Sequence, residues 1–243
     1  METLLFLNKE FTEKQTDVVF WISLVAVVAL IALVVIFCIN SKKSNDAKIM
    51  VYESICLALS FALSYIKVGM PYGGSITPAS FLPVLIFAYA FGFKHGLFCG
   101  FIYGILQFIS DPYIYTPMQF LLDYPLAFAT IGLMGLARFF GKNRTARVVI
   151  GASLVFVARL TMHVLSGIIF FKAGWIVEGL PASNAFIYSL CYNASYLVPD
   201  AIICVGVLVA LCLTGSFDRL LNSIKSDKKV VYNQKNTELN TNN

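Results

Sequence analysis

The residues most able to do chemistry in this chain are ionisable side chains that interrupt long apolar segments. They are Glu53, Asp123, Arg159, His163 and Asp200. An ionisable group at membrane depth is costly, so each one marks a potential functional site with partners in the protein interior. Arg159 and His163 are one helical turn apart and share a helix face. With Asp123 and nearby aromatic rings, His163 could form a site for a flat, cationic, hydrogen-bonding small molecule. A buried ion pair between Asp123 and Arg159 that only stabilises packing is the alternative.

The other polar residues in apolar segments have simpler interpretations. Glu53 falls about one turn into its predicted helix, which favours a position at the membrane interface. Asp200 follows Pro199, and its carboxyl could stabilise a kinked helix through hydrogen bonds. Tyr188 and Asn193 could line one pocket, and the Asn193 amide needs either an interhelical partner or a ligand.

The sequence contains no pattern typical of metal-assisted, nucleophilic or ATP-driven chemistry. It has only two histidines, no Cys-x-x-Cys pair, and cysteines that all fall in apolar stretches, which predicts neither a metal site nor a disulfide framework. No Ser/His/Asp set or paired-carboxylate site is recognisable, so no catalytic residues and no cofactor are predicted. A Gly-x-x-x-x-Gly-Lys-Ser/Thr loop is also missing, so energy for any transport must come from partner proteins.

Composition places the chain in a bilayer. Hydrophobic residues make up 58% and charged residues 13% of the 243 residues. Ordinary soluble domains have about 45–50% and about 25%, respectively. The formal net charge of +5 comes from Lys and Arg between the apolar segments. This is where membrane topology requires them, so nucleic-acid binding is not predicted.

The apolar segments predict an all-α integral membrane protein with seven spans. Residues Val18–Ile39 form the first, and at 1.5 Å per residue this stretch reaches about 33 Å. Its length and acidic leading segment favour a retained anchor over a secretory signal peptide. Further spans are predicted over 49–67, 80–93, 95–110, 118–138, 147–171 and 185–214. The turn between the second and third of these is so short that the two helices must be antiparallel neighbours.

Positive charges predict the orientation of the spans. Loops on one side hold Lys42, Lys43, Lys48, Lys94, Arg138, Lys142, Arg144 and Arg147, and the C-terminal end adds more. That side is predicted to be cytoplasmic, with the N-terminus outside. The chain therefore divides into an N-terminal helix and linker (1–47), a membrane domain (48–224) and a polar tail (225–243).

Several short motifs occur in a recognisable order. They are Tyr72-Gly73-Gly74-Ser75-Ile76, Tyr103-Gly104-Ile105-Leu106, Leu122-Asp123-Tyr124-Pro125-Leu126-Ala127-Phe128, His163-x-x-x-Gly167-Ile168-Ile169-Phe170, and Tyr188-Ser189-Leu190 with Asn193. Together they resemble the thiamine-binding S-components of energy-coupling factor (ECF) transporters, the ThiT or YuaJ family. The resemblance covers about 48–214. It implies a six-helix bundle, here preceded by one extra N-terminal transmembrane helix in a bacterial plasma membrane protein.

The resemblance also implies a function and partners. Such proteins capture thiamine from outside and deliver it by toppling in the membrane, driven by a scaffold subunit and two cytoplasmic ATPases. The ligand-binding positions implied here are Asp123, Tyr124, His163, Tyr188, Asn193, Tyr113, Gly74 and Phe171. The acid is expected to engage the aminopyrimidine. Some members have tryptophans where this chain has Gly74 and Phe171, so the stacking wall could use Phe171, Tyr72 or Trp175.

A pair of alanines is the implied docking surface for the scaffold subunit. Ala58 and Ala62 are four residues apart and share a helix face, which permits close approach of another helix. Packing within the chain is the alternative. For the protein as a whole, other interpretations are an S-component for another vitamin or a pyrimidine precursor, an intramembrane hydrolase using His163 and Asp123, and an assembly factor without a ligand.

Overall fold

The computed structural model describes residues 47–70, 72, 74–141, 143–171 and 184–224. The predicted first span, Val18–Ile39, the predicted tail from 225 onwards, and Trp175 lie outside the described residues.

The described chain is mostly helical, as predicted, with one short hairpin. The elements are α1 (Ala47–Ser64), β1 (Val68–Gly69), β2 (Ser75–Ile76), α2 (Leu82–Phe91), α3 (Phe93–Ser110), α4 (Pro117–Phe139), α5 (Arg144–Phe170), α6 (Ala185–Leu213) and α7 (216–224). The two strands are antiparallel, with Val68 opposite Ile76. The hairpin was not predicted, because two-residue strands leave no periodic pattern in the sequence.

Among the described residues, three helices are long and apolar enough to cross a membrane, namely α4, α5 and α6. Helix α2 has only 10 residues, which is about 15 Å and half of a hydrocarbon core. The helix stops there because Gly92 has φ 95°, in the left-handed region that favours glycine. The segment predicted as a span over 80–93 is therefore shorter than a full crossing, and the number of crossings stays a prediction.

Glycines allow α3 to pack closely against α4. Gly96, Gly100 and Gly104 follow one another at intervals of four and lie on one face of α3. A Cβ at Gly104 would stand only 2.6 Å from the backbone oxygen of Tyr124. Small residues at such spacing bring helix backbones together in membranes. The contact fixes the depth of α4 relative to α3.

Helix α4 is irregular, and the irregularity includes a predicted site residue. It begins as an α-helix over Pro117–Leu121, continues as a π-helix over Leu122–Leu126, and ends as a 3₁₀-helix over Thr130–Phe139. Asp123 and Pro125 lie in the π-helical turn. Proline removes one backbone donor, and π-turns occur frequently at functional sites.

Helices α5 and α6 pack against each other. Each begins at an asparagine whose side chain caps the helix: Asn143 accepts from the Ala146 N–H, and Asn184 accepts from the Ile187 N–H, both at 2.8 Å. Arg144 at the start of α5 pairs with Asp218 of α7. The start of α5 and the end of α6 therefore lie together at one end of the bundle.

Glu53 is buried against the neighbouring helices. It lies almost two turns into α1, because the helix begins at Ala47. The side chain is buried, with 8% of its surface exposed, and its Oε1 has no hydrogen-bond partner among the described residues. Burial against other helices does not fix the depth of Glu53 in a membrane, so its expected interfacial position stays a prediction.

Candidate ligand-binding site

A cavity of about 360 Å³ lies between α3, α4, α5, α6 and the hairpin. Its wall contains side chains from all of these elements, and both polar and aromatic groups face it. A volume in this range suits a small organic molecule.

Asp123 is the centre of a hydrogen-bond cluster in the cavity wall. Its Oδ2 accepts a hydrogen bond from Gln119 Nε2 at 2.6 Å and another from Ser166 Oγ at 2.9 Å. Its Oδ1 lies 3.1 Å from His163 Nδ1. The cluster joins α4 to α5, and it holds a carboxylate in a defined orientation towards the cavity.

The pairing with Asp123 also determines what His163 presents to a ligand. Because a carboxylate oxygen only accepts, the hydrogen of this pair belongs on His163 Nδ1. The other ring nitrogen, Nε2, is buried and has no partner in the described part of the chain. A neutral imidazole in this tautomer has an acceptor at Nε2, which a ligand N–H can reach only when the surrounding side chains move.

Arg159 occupies a different position from the one considered in the sequence. Its guanidinium carbon lies 4.3 Å from the ring centroid of Phe81 and 4.4 Å from that of Phe128. The alternative of an Asp123–Arg159 ion pair is wrong, because Asp123 pairs with His163. The reason is depth, since Arg159 lies one turn before His163 and two turns before Ser166 on α5.

Asp200 lies at the same deep end of the cavity as Arg159. Both side chains are buried, with 3% and 8% of their surface exposed, and both line the cavity. Asp200 Oδ1 and Arg159 Nε lack hydrogen-bond partners among the described residues. The two opposite charges make this end of the cavity polar.

Tyr188 and Asn193 of α6 line the cavity, as expected from the sequence. The Asn193 amide donates to the backbone oxygen of Ser189 at 2.9 Å, and its Oδ1 accepts from the Tyr196 hydroxyl at 2.6 Å. A longer contact of 3.5 Å reaches the backbone oxygen of His163 on α5. The two short bonds lie within α6, so the interhelical interpretation rests on the 3.5 Å contact, and the amide still faces the cavity.

Aromatic rings surround the mouth of the cavity. The Phe171 ring at the end of α5 stacks on Tyr113 with centroids 6.2 Å apart, and it also contacts Tyr115 at 5.7 Å. The Tyr124 hydroxyl donates to the backbone oxygen of Asp111 at 2.8 Å. Tyr113, Tyr124 and Phe171 all line the cavity, and they could stack on a flat ligand.

Gly74 brings the hairpin over the cavity. Its φ of 71° is in the left-handed region, and a Cβ there would stand 2.7 Å from the Tyr196 ring. A side chain at this position would therefore push the hairpin away from α6. Tyr72, considered as a possible stacking ring, is more than one-third exposed.

Ala58 and Ala62 lie away from this site. Both are exposed on α1, and Ile55 and Leu59 beside them are also more than half exposed. The structure therefore places the two alanines on an outward apolar face.

Comparison with known proteins agrees with the predicted resemblance. A family described as thiamine transporter protein (Thia_YuaJ) matches residues 50–217. The chain belongs to this family.

Two curated relatives and one solved structure illustrate the relationship. Thiamine transporter ThiT of Bacillus subtilis is 37% identical over 167 residues, which is 65% of this chain and 83% of the relative. ThiT of Lacticaseibacillus paracasei is 28% identical over 174 residues, 65% of this chain and 85% of the relative. A structure of ThiT from Listeria monocytogenes has a similar fold, with a TM-score of 0.57 and 23% identity, covering 71% of this chain and 97% of that one.

Membership of the thiamine transporter family confirms the family resemblance predicted from the motifs. The named relatives are transporters, in line with the interpretation that this chain is not an enzyme. The family and the three long apolar helices place the protein in a membrane. No group of three or more His, Cys, Asp or Glu side chains that could hold a metal ion occurs among the described residues of this family member.

The structure brings all eight predicted ligand-binding residues of this family member to the cavity. Sequence reasoning missed Gln119 and Ser166, which both donate to Asp123. Their spacing in the sequence could have identified them, because Gln119 is four residues before Asp123 and Ser166 is three residues after His163. Residues at these distances share a helix face.

Proposed function

We propose that this protein binds thiamine in the cavity and takes it up as the substrate-capture subunit of an ECF-type transporter. The Asp123 cluster on the cavity wall is the observation that carries the proposal, together with the family match. The relatives named ThiT support thiamine over another vitamin or a pyrimidine precursor as the ligand.

The chemistry of thiamine suits the groups on the cavity wall. Thiamine has a flat aminopyrimidine, whose amino group donates hydrogen bonds, and a cationic thiazolium ring. Asp123 supplies acceptor oxygens for the amino group, in the orientation that His163 helps to set. The ring stacking is assigned to Phe171 and Tyr113, which lie at the mouth.

The remaining cavity residues are proposed to shape the pocket around the ligand. Tyr124 and Tyr188 provide aromatic surface, and Asn193 provides a fixed amide. Gly74 allows the hairpin to cover the ligand without a side chain between it and Tyr196.

The proposed orientation in the membrane rests on the positive charges at one end of the bundle. Lys94, Arg138, Arg144 and Arg147 belong to the start of α3, the end of α4 and the start of α5. This end is opposite the cavity mouth, and the positive-inside rule assigns it to the cytoplasm. The cavity would then open to the outside, as capture requires.

Uptake requires partners that supply energy, since the sequence has no phosphate-binding loop for ATP. We assign this role to a scaffold membrane subunit and two cytoplasmic ATPases. The outward alanines of α1, Ala58 and Ala62, would dock on the scaffold, because small exposed residues permit close helix approach.

A titration of the purified, detergent-solubilised protein with thiamine tests the proposal. Intrinsic fluorescence should be quenched as thiamine stacks on aromatic rings, with saturation at one ligand per chain. Riboflavin and the isolated hydroxymethyl aminopyrimidine serve as competitors. Stronger binding of a competitor, or no binding of thiamine, would refute the ligand assignment.

A further inference from the structure

Gln119 connects the Asp123 carboxylate to the mouth of the cavity. It lies one turn before Asp123 on α4, and its side chain is buried, with 1% of its surface exposed. Its Nε2 donates to Asp123 Oδ2 at 2.6 Å, and its Oε1 accepts from the backbone N–H of Tyr115 at 3.0 Å. One amide group thus makes two bonds in opposite directions.

The two bonds determine which way the amide points. A backbone N–H can only donate, so the oxygen must face Tyr115 and the NH₂ group must face Asp123. The Asp123 carboxylate accepts a hydrogen bond from this NH₂ group while the amide keeps that orientation. In addition, the Gln119 backbone N–H donates to the Thr116 hydroxyl at 3.1 Å, which anchors the start of α4.

The partner of the Gln119 oxygen belongs to the segment that forms the mouth. Residues 111–116 connect α3 to α4, and this mouth segment carries Tyr113 and Tyr115. Both rings contact Phe171 at the end of α5. Movement of the Tyr115 backbone would therefore move rings that border the entrance of the cavity.

We propose that Gln119 is a positioning residue that couples occupation of the Asp123 site to ordering of the mouth segment. This inference rests on the proposed binding of thiamine at Asp123. A ligand that engages the carboxylate holds it in one orientation, and the carboxylate then holds the Gln119 amide. The amide in turn keeps the Tyr115 N–H bonded and the mouth rings on Phe171. By linkage, an ordered mouth must also strengthen ligand binding.

Ser166 offers a matched control, because it donates to the same Asp123 oxygen at 2.9 Å but belongs to α5. Ser166→Ala should weaken binding without breaking the link to the mouth. Gln119→Met removes both bonds of the amide at similar length. Gln119→Leu also removes both bonds, with a branched apolar side chain of similar volume.

Amide hydrogen exchange of Tyr115 measures the coupling directly, with and without saturating thiamine. In the wild type and in Ser166→Ala, thiamine should slow this exchange by at least about tenfold, because the opening of the bond is suppressed. In Gln119→Met and Gln119→Leu, saturating thiamine should leave the Tyr115 exchange rate unchanged. A residue with a purely structural role would change stability without removing this ligand-dependent response.

Three results would overturn the inference. They are retained slowing in Gln119→Met, lost slowing in Ser166→Ala, and no slowing in a wild type that binds thiamine. If Gln119→Met does not fold, Gln119→Leu decides by the same criterion. If the wild type does not bind thiamine, the proposed function fails, and the connection between Gln119 and the mouth segment is tested without thiamine. Faster Tyr115 exchange in Gln119→Met than in the wild type then supports this connection, and equal rates refute it.

Discussion

Replacement of Asp123 by asparagine tests the centre of the site with the smallest possible change in shape. The carboxylate accepts from Gln119, Ser166 and His163. Asparagine supplies one acceptor oxygen, so its NH₂ group must face at least one of these donors. The variant loses the negative charge and also disturbs the orientation of the cluster.

The expected loss can be estimated from the bonds involved. Hydrogen bonds to a charged group contribute about 1.5–3 kcal/mol. Since 1.4 kcal/mol corresponds to a tenfold change in affinity, Asp123→Asn should weaken thiamine binding by about 10- to 100-fold. The cavity shape should change little, because the two side chains have the same size.

Asp111 provides the matched control, since it is another aspartate beside the cavity. Its carboxylate forms an ion pair with Lys67 at 2.9 Å, and its side chain is 75% exposed. Exposed ion pairs contribute about 0–1 kcal/mol, so Asp111→Asn should change affinity by no more than about fivefold.

Isothermal titration calorimetry of both variants with thiamine measures the difference, and thermal unfolding without ligand checks that both are folded. An unchanged affinity in folded Asp123→Asn would refute the assignment of Asp123 to the ligand. Equal losses in the two variants would show that the effect comes from the negative charge around the cavity and not from the cluster.

Three further changes test other parts of the structure. Phe171→Ala removes a ring at the cavity mouth and should weaken thiamine binding by about 2- to 10-fold in the same titration; unchanged affinity would remove this ring from the ligand contact. Gly104→Val places side-chain atoms against the Tyr124 backbone and should destabilise the protein by about 1–3 kcal/mol, seen as a lower melting temperature in detergent; an unchanged melting temperature would contradict the close approach of α3 and α4. Ala58→Trp with Ala62→Trp should abolish ATP-driven thiamine uptake in cells with little change in affinity, because the bulk blocks docking; normal uptake would locate the docking surface elsewhere.

The irregular part of α4 explains why the Asp123 cluster has its present geometry. A π-turn adds one residue to a helical turn, which rotates the residues after it relative to those before it. Gln119 precedes this turn and Asp123 lies within it. The nearby contact of Gly104 with the Tyr124 backbone holds the turn against α3.

Much of the helical architecture and the family could be predicted from the sequence. The apolar runs predicted helices close to the observed α1 and α3–α6, because a run of apolar residues is a local property. The ordered motifs around Asp123, His163 and Asn193 predicted the family, and the family match confirmed it. The predicted first span, Val18–Ile39, stays a prediction.

Only the tertiary structure decided which side chains meet. Asp123 and His163 are 40 positions apart, and their pairing depends on the rotation and depth of α4 against α5. The sequence left an Asp123–Arg159 pair open as the alternative, since Arg159 and His163 share one face of α5. It also could not reveal that the Gln119 amide joins Asp123 to Tyr115. Contacts of this kind depend on a fit of one or two ångströms between helices, whereas the sequence determines only which face of each helix is apolar.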